Sequence, residues 1–282
     1  MKRITVCIFL SLAIILLSAC DSASSPVKQT ASSAGVVEVK DGEMLERDII
    51  PQLSKVFSLS EQEVKDTLAA SGSSNLISSK TTGFRRMEGM IPPGKYEIAA
   101  GSTLKENISL WIAASEKRYS MLCKSNTELN NLSPAEQLTL ASMAEAECLA
   151  GVHNEEVATV FLNRLKDGAK LQSCVTAEYA LGYQRPFLTA ADISVKSEYN
   201  TYYVKGLPAG PICAVSDASL KAALGKGNGS GIYYFYYDYI QNDMFFFSDY
   251  SEFQKGCRVS SQRFEENSKV GKYDKLNKQV FY

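Results

Sequence analysis

Two acids stand out in an otherwise greasy stretch. Glu145 and Glu147 fall in the run from Leu138 to Ala150, whose other residues are apolar or small. A helix with no polar stripe is normally buried. A buried carboxyl is costly unless it is paired or protonated. Two residues apart on a helix, the acids point roughly 200° apart around the axis. One can face a cleft while the other must find an internal partner. A carboxyl that keeps its proton near neutral pH can donate it as a general acid and, once ionised, take one back.

The positioning elements are legible on either side. Ser133-Pro134-Ala135-Glu136 gives a Ser N-cap, a Pro at the first helical position and a Glu three residues after the cap. This predicts a helix that starts there and stops at Gly151. A second helix is predicted to begin near His153-Asn154-Glu155-Glu156, with acids at the positive end of its dipole. Val157, Val160, Phe161 and Leu165 form its apolar face, and Arg164, near its end, is a candidate partner for one of the two acids.

Several motifs in one order resemble the endolytic murein transglycosylases, the MltG/YceG-like family. They are Leu140-Ala141-Ser142-x-x-Glu145-x-Glu147, Val157-Ala158-x-Val160-Phe161-Leu162-Asn163-Arg164-Leu165 and Leu171-Gln172-Ser173. Leu188-Thr189-x-x-Asp192, Tyr199-Asn200-Thr201-Tyr202, Gly206-Leu207-Pro208-Ala209-Gly210-Pro211-Ile212 and Ser219-Leu220-x-Ala222-Ala223 follow. The resemblance covers roughly Glu43 to Lys255. It implies that Glu147 is the catalytic acid, with Glu145 and Arg164 supporting it. It places Gln172, Ser173, Tyr199, Asn200, Thr201, Tyr202, Pro208 and Gly210 around the substrate. Amides, hydroxyls and phenols suit the N-acetyl and hydroxyl groups of amino sugars, but the same groups also satisfy turns. Two histidines usual in the family are replaced here, near Asp243-Met244 and Phe253-Gln254.

The implied fold is α+β, a small LysM-like βααβ module followed by a mixed α+β catalytic domain with its acid on a buried helix. Residues 36–100 are predicted to form the module, from the strand Val36–Val39, helices around Pro51 and after Ser60, and a strand near Tyr96. Residues 101–262 are predicted to form the catalytic domain, led by an amphipathic helix from Ser102 to Cys123 in which Trp111 reads as core rather than as a sugar platform. Ser216–Leu224 reads as a helix, Ile232–Tyr237 with Met244–Ser248 as an aromatic hairpin, Gly206–Pro211 as a stiff loop walling the cleft, and 263–282 as a loose tail.

At the front, Met1-Lys2-Arg3, the apolar run Ile4–Leu17 and Ser18-Ala19-Cys20 read as a lipoprotein signal peptide, residues 1–20, with lipidation at Cys20. Residues 21–35 read as a flexible tether. The expectation is an extracytoplasmic enzyme held to the cell membrane by lipid. Lys plus Arg total 30 against 31 Asp plus Glu, so nothing points to nucleic acid. With His153 the sole histidine, no spacing suggests a metal, and no cofactor is expected. Cys174 and Cys213 sit inside two motifs that line one cleft in the family, and the resemblance suggests a bridge between them; free thiols are the alternative.

The implied reaction cleaves the MurNAc-β-1,4-GlcNAc bond of peptidoglycan without water. Glu147 would protonate the leaving oxygen and then deprotonate the C6 hydroxyl, closing a 1,6-anhydro ring. Two other readings compete. A muramidase-type hydrolase needs a second carboxylate at about 5–9 Å, for which Asp192 and Asp217 are candidates. A peptidoglycan-binding lipoprotein without turnover needs none. The partners expected are glycan strands, the membrane through its lipid anchor, and cell-wall synthases.

Overall fold

The computed structural model describes residues 33–126, 128–148, 152–184, 188–269 and 280–281. The signal peptide, Cys20, most of the tether and the predicted Gly151 stop lie outside these residues. Strand β1, Ser33–Val39, pairs antiparallel with β2, Gly94–Ala99, setting Val37 opposite Tyr96. The strand therefore claims Ser33 to Gly35, which composition alone assigns to the tether. Between the strands, the helical run is not split at Pro51 but changes type just before it, so that its missing N–H falls in a first turn. A wide turn, Leu45–Ile49, precedes α1, Ile50–Phe57, with Pro51 in its first turn. Helix α2, Glu61–Ala69, opens on a Ser60–Glu63 capping box. Val37, Leu45, Ile49, Leu53, Val64 and Leu68 bury their side chains between these elements.

Helix α3, Leu104–Ser125, turns one apolar face inward. Trp111 is 3% exposed and packs edge-on against Tyr96 at 5.5 Å between centroids, a core position. Helix α4, Pro134–Glu147, begins at the expected Ser133–Glu136 capping box, and residues 137–145 are all buried. It ends earlier than its sequence suggests. Cys148 has φ −92° and ψ 107°, extended geometry, so Glu147 is the last helical residue. Helices α5, Asn154–Lys166, and α8, Asp217–Leu224, pack on α4. Two further helices, α6 at Cys174–Leu181 and α7 at Ala190–Ile193, occupy a stretch whose signals read as mixed. Strands β4, Tyr234–Asp238, and β5, Asp243–Phe247, form the aromatic hairpin, with Tyr234 opposite Phe247. Helix α9, Tyr250–Lys269, packs on that hairpin. It replaces the first part of the predicted loose tail. A short strand, β6 at Val280–Phe281, pairs with β3 at Tyr183–Gln184. Among the described residues, no helix is long and apolar enough to cross a membrane.

One core runs from the β1–β2 sheet through α3 and α4 to the hairpin. The joint between its halves is made by backbone. Gly42 N–H donates to the Ala214 carbonyl at 2.9 Å, and Ala214 N–H donates to the Glu43 carbonyl at 2.7 Å. Glu88, 1% exposed, accepts from the Leu45 N–H at 3.0 Å and from the Tyr179 hydroxyl of α6 at 2.9 Å. Burial pushes its carboxyl up to about 7. Gly89 has φ +72°, and a Cβ there would lie 2.9 Å from Pro211 Cβ and 3.1 Å from the Cys213 carbonyl. Gly89→Ala combines a left-handed backbone with a clash. It should lower unfolding free energy by about 2–4 kcal/mol in denaturant titration. Gly42→Ala, at φ +76° but with open space around it, should cost only about 1 kcal/mol.

Candidate active site

The end of α4 sends its two acids to different places. Glu145, 8% exposed, accepts from the Ser216 N–H at 2.9 Å and from the Ser216 hydroxyl. It therefore fixes the start of α8. Glu147, half-buried, lines a cleft of about 510 Å³. Among the described residues one hydrogen bond reaches it, from the Ser173 hydroxyl at 2.6 Å. Burial raises its carboxyl to about 7; the Ser173 bond and the charge of Arg164 pull the other way. Its place at the negative end of the α4 dipole further disfavours the ionised form.

Arg164 pairs with neither acid, contrary to expectation. Its Nε donates to the Tyr233 carbonyl at 2.7 Å and its Nη1 to the Leu171 carbonyl at 2.6 Å, while its guanidinium lies 5.3 Å from the centre of the Tyr234 ring. It joins α5, the 171–173 segment and the hairpin around the acid. Ser173 is held in turn, because its N–H donates to the Thr201 hydroxyl at 2.9 Å and Thr201 meets the Thr176 hydroxyl at 2.8 Å. Gln172, exposed in the cleft wall, has φ +48°, an unusual backbone for a side-chain-bearing residue.

Of the residues placed around the substrate by resemblance, Gln172 and Tyr202 line the cleft and Ser173 touches Glu147. The others do not line it. Asn200 is wholly buried; its amide donates to the Ile193 and Val195 carbonyls and its oxygen accepts from the Tyr202 N–H. It shapes the turn. Thr201 is wholly buried in the network that holds Ser173. Tyr199, 8% exposed, packs its ring 4.8 Å from that of Tyr179. Pro208 and Gly210 are buried, and the Gly206–Pro211 loop packs on residues 78–81, with the Ser78 hydroxyl donating to the Ala209 carbonyl. A loop so covered does not wall the cleft.

The expected Cys174–Cys213 bridge is absent, and both thiols are free. Cys174 lines the cleft with its sulfur 3.2 Å from the Tyr202 hydroxyl, whereas Cys213 is buried with its sulfur on the Ser142 carbonyl at 3.3 Å. The far wall, which sequence reasoning did not identify as part of a site, is aromatic. Tyr234, Tyr236, Tyr239, Tyr250 and Phe253 line it. The strand Ile232–Tyr237 is legible in the sequence, but Tyr239 lies beyond it and the partner helix α9 falls partly in the predicted tail.

Glu147 is the sole carboxylate lining this cleft among the described residues. Asp192 is buried in its own helix cap, accepting from Thr189, and Asp217 is exposed and paired with Arg118. No cluster suited to a metal exists among the described residues. The cleft thus holds one carboxyl of raised pKa, a group suited to acid–base chemistry.

The chain's relationships agree with that chemistry. The model of the YceG-like family matches residues 19–258, and the chain belongs to that family. An endolytic murein transglycosylase of Bacillus subtilis is 32% identical over 148 residues, 52% of this chain and 41% of the relative. One of Streptococcus pneumoniae is 31% identical over 161 residues, 55% of this chain and 29% of the relative. The chain thus matches less than half the length of these relatives. The crystal structure of a yceG-like protein from Listeria monocytogenes superimposes with a TM-score of 0.67 at 25% identity, over 78% of this chain and 74% of the other.

Because its folded pKa is raised, Glu147 holds a proton that the unfolded chain has lost. Its contribution to stability is fully present below about pH 4.5 and is lost as pH rises through about 7. Glu147→Gln should therefore gain stability relative to wild type with rising pH, by roughly 1–3 kcal/mol at pH 8.5, in denaturant unfolding followed across pH.

Proposed function

We propose that the protein is an endolytic lytic transglycosylase that cleaves the MurNAc-β-1,4-GlcNAc bond of peptidoglycan and leaves 1,6-anhydroMurNAc ends. The observation that carries this reading is a carboxyl, raised to about 7 by burial, in an aromatic-walled cleft with no second carboxylate among the described residues. A hydrolase of the usual kind needs two. A single group whose pKa lies near neutral pH serves twice. Glu147 gives its proton to the leaving glycosidic oxygen, and its carboxylate then takes the proton of the MurNAc C6 hydroxyl as that oxygen closes on C1. Such help contributes about 10²–10⁴-fold. Ser173 orients the carboxyl and supports its ionised form between the two steps. The guanidinium of Arg164, 5.3 Å from Tyr234, adds positive charge on the same side. Gln172 and Tyr202 offer hydrogen bonds to the sugar, and the aromatic wall offers apolar faces to the pyranose rings.

The wider organisation belongs to the same proposal. Residues 36–100, a LysM-like module, pack on the catalytic part at residues 101–262 and help position the glycan. The lipobox at Cys20 tethers the enzyme to the outer face of the cell membrane, near wall synthases.

Mass spectrometry of products released from purified sacculi tests the reaction. Wild type should release anhydro-muropeptides, and Glu147→Gln should release about 10²-fold fewer or less. Reducing ends in place of anhydro ends would show a hydrolase; no soluble fragments from wild type would show a binding protein. Removing the Ser173 bond removes a contact that favours the carboxylate, so Ser173→Ala should move the alkaline limb of the kcat/KM profile upward by about 0.5–1 pH unit.

A further inference from the structure

A second cavity, of about 550 Å³, opens at the start of α5, downstream of the segment that carries Glu147. The α5 N-terminus, α8 and the glycine-rich turn at 225–227 surround it. Its lining carries both signs of charge, from Glu128, Glu155, Glu156, Lys221 and Lys226. Lys226 pairs with Glu128 at 3.3 Å, and Glu156 lies 3.9 Å from the His153 ring. Lys221 and Glu155 have no ion-pair partner among the described residues. One cation and one anion thus face the same space without a countercharge.

A buried group adds a third demand. Asn154 lines the cavity and is 5% exposed. Its amide nitrogen donates to the Ser219 hydroxyl, but its Oδ1 has no hydrogen-bond partner among the described residues. A buried acceptor left unpaired costs free energy that a donor from a ligand would recover. The first N–H groups of α5 also receive no side-chain cap from His153. A bare anion would suit the helix start and Lys221 but would meet three glutamates. A bare cation would suit the glutamates but would meet two lysines and the positive end of a helix. A molecule carrying carboxylate, ammonium and amide N–H together satisfies every group.

We propose that this cavity binds the peptide stem that hangs from the glycan, with the stem carboxylate on Lys221 and the α5 start, its side-chain ammonium on Glu155, and an amide N–H on Asn154 Oδ1. The inference rests on the peptidoglycan reading of the Glu147 cleft. It makes the enzyme a reader of stemmed rather than bare glycan.

The probe is N-acetylated L-Ala-γ-D-Glu-L-Lys-D-Ala, with two analogues in which the lysine amine is acetylated or the terminal carboxylate amidated. Binding is measured by calorimetry on the full chain carrying Glu147→Gln. The parent peptide should bind about three- to fivefold more tightly than either analogue, the scale of one exposed ion pair. Adding Lys221→Met should erase the advantage over the amidated analogue alone, and adding Glu155→Gln the advantage over the acetylated one alone. Both side chains are exposed, so the fold should survive. In otherwise wild-type enzyme, Lys221→Met should raise KM for stemmed glycan and leave KM for amidase-stripped glycan unchanged. Equal binding of all three peptides, no binding of the parent, or equal KM changes on both substrates overturns the proposal. Wild-type turnover of stripped glycan without peptide binding overturns this inference alone; turnover of neither substrate overturns the reading beneath it.

Discussion

The structure depends on a carboxyl group kept out of water and away from any paired cation. Glu147 ends a helix whose preceding residues, 137–145, are all buried, and the dipole of that helix opposes ionisation. A neighbouring arginine would normally cancel the effect of burial by pairing. Here the arginine is present but committed elsewhere, because Arg164 donates to the carbonyls of Leu171 and Tyr233. Its charge still reaches Glu147 and tempers the pKa without neutralising the acid.

The neighbouring architecture makes that placement rigid. Glu145 points away from Glu147 around the same helix and anchors the first turn of α8 through Ser216. Ser173 rests on a wholly buried Thr176–Thr201 pair, so its hydroxyl approaches Glu147 from a fixed direction. Glu88 ties α6 to the Leu45 turn from the opposite end. The β1–β2 part is therefore joined to the structure that carries the acid and does not sit apart from it. Its backbone bonds to Ala214 and the close approach at Gly89 point the same way.

Local rules carried far where the signal was local. The Ser133–Glu136, Ser60–Glu63 and Ser216 caps, the change of helix type just before Pro51, the aromatic hairpin and the divergence of Glu145 from Glu147 all follow from short-range geometry. Where tertiary contacts decide, sequence patterns misled. Thr189-x-x-Asp192 reads as a motif, but in the fold it is the capping box of α7. Asn200 has the chemistry of a sugar ligand yet uses every polar atom on nearby backbone. The strand β1 extends into Ser- and Gly-rich sequence because β2 is there to pair with it. Helix α9 is polar on average, and its contacts are with hairpin rings that sequence cannot place beside it. The aromatic wall, half of the cleft, was hidden for that reason.

The protonation state of Glu147 tests the central claim most directly. Carbon-13 labelling of glutamate side chains, with Glu147→Gln to assign the signal, allows its carboxyl to be followed by NMR between pH 4 and 9. The account predicts a midpoint at about 7. A midpoint near the ordinary glutamate value of about 4.3 would mean that the group is ionised at rest, and would contradict it.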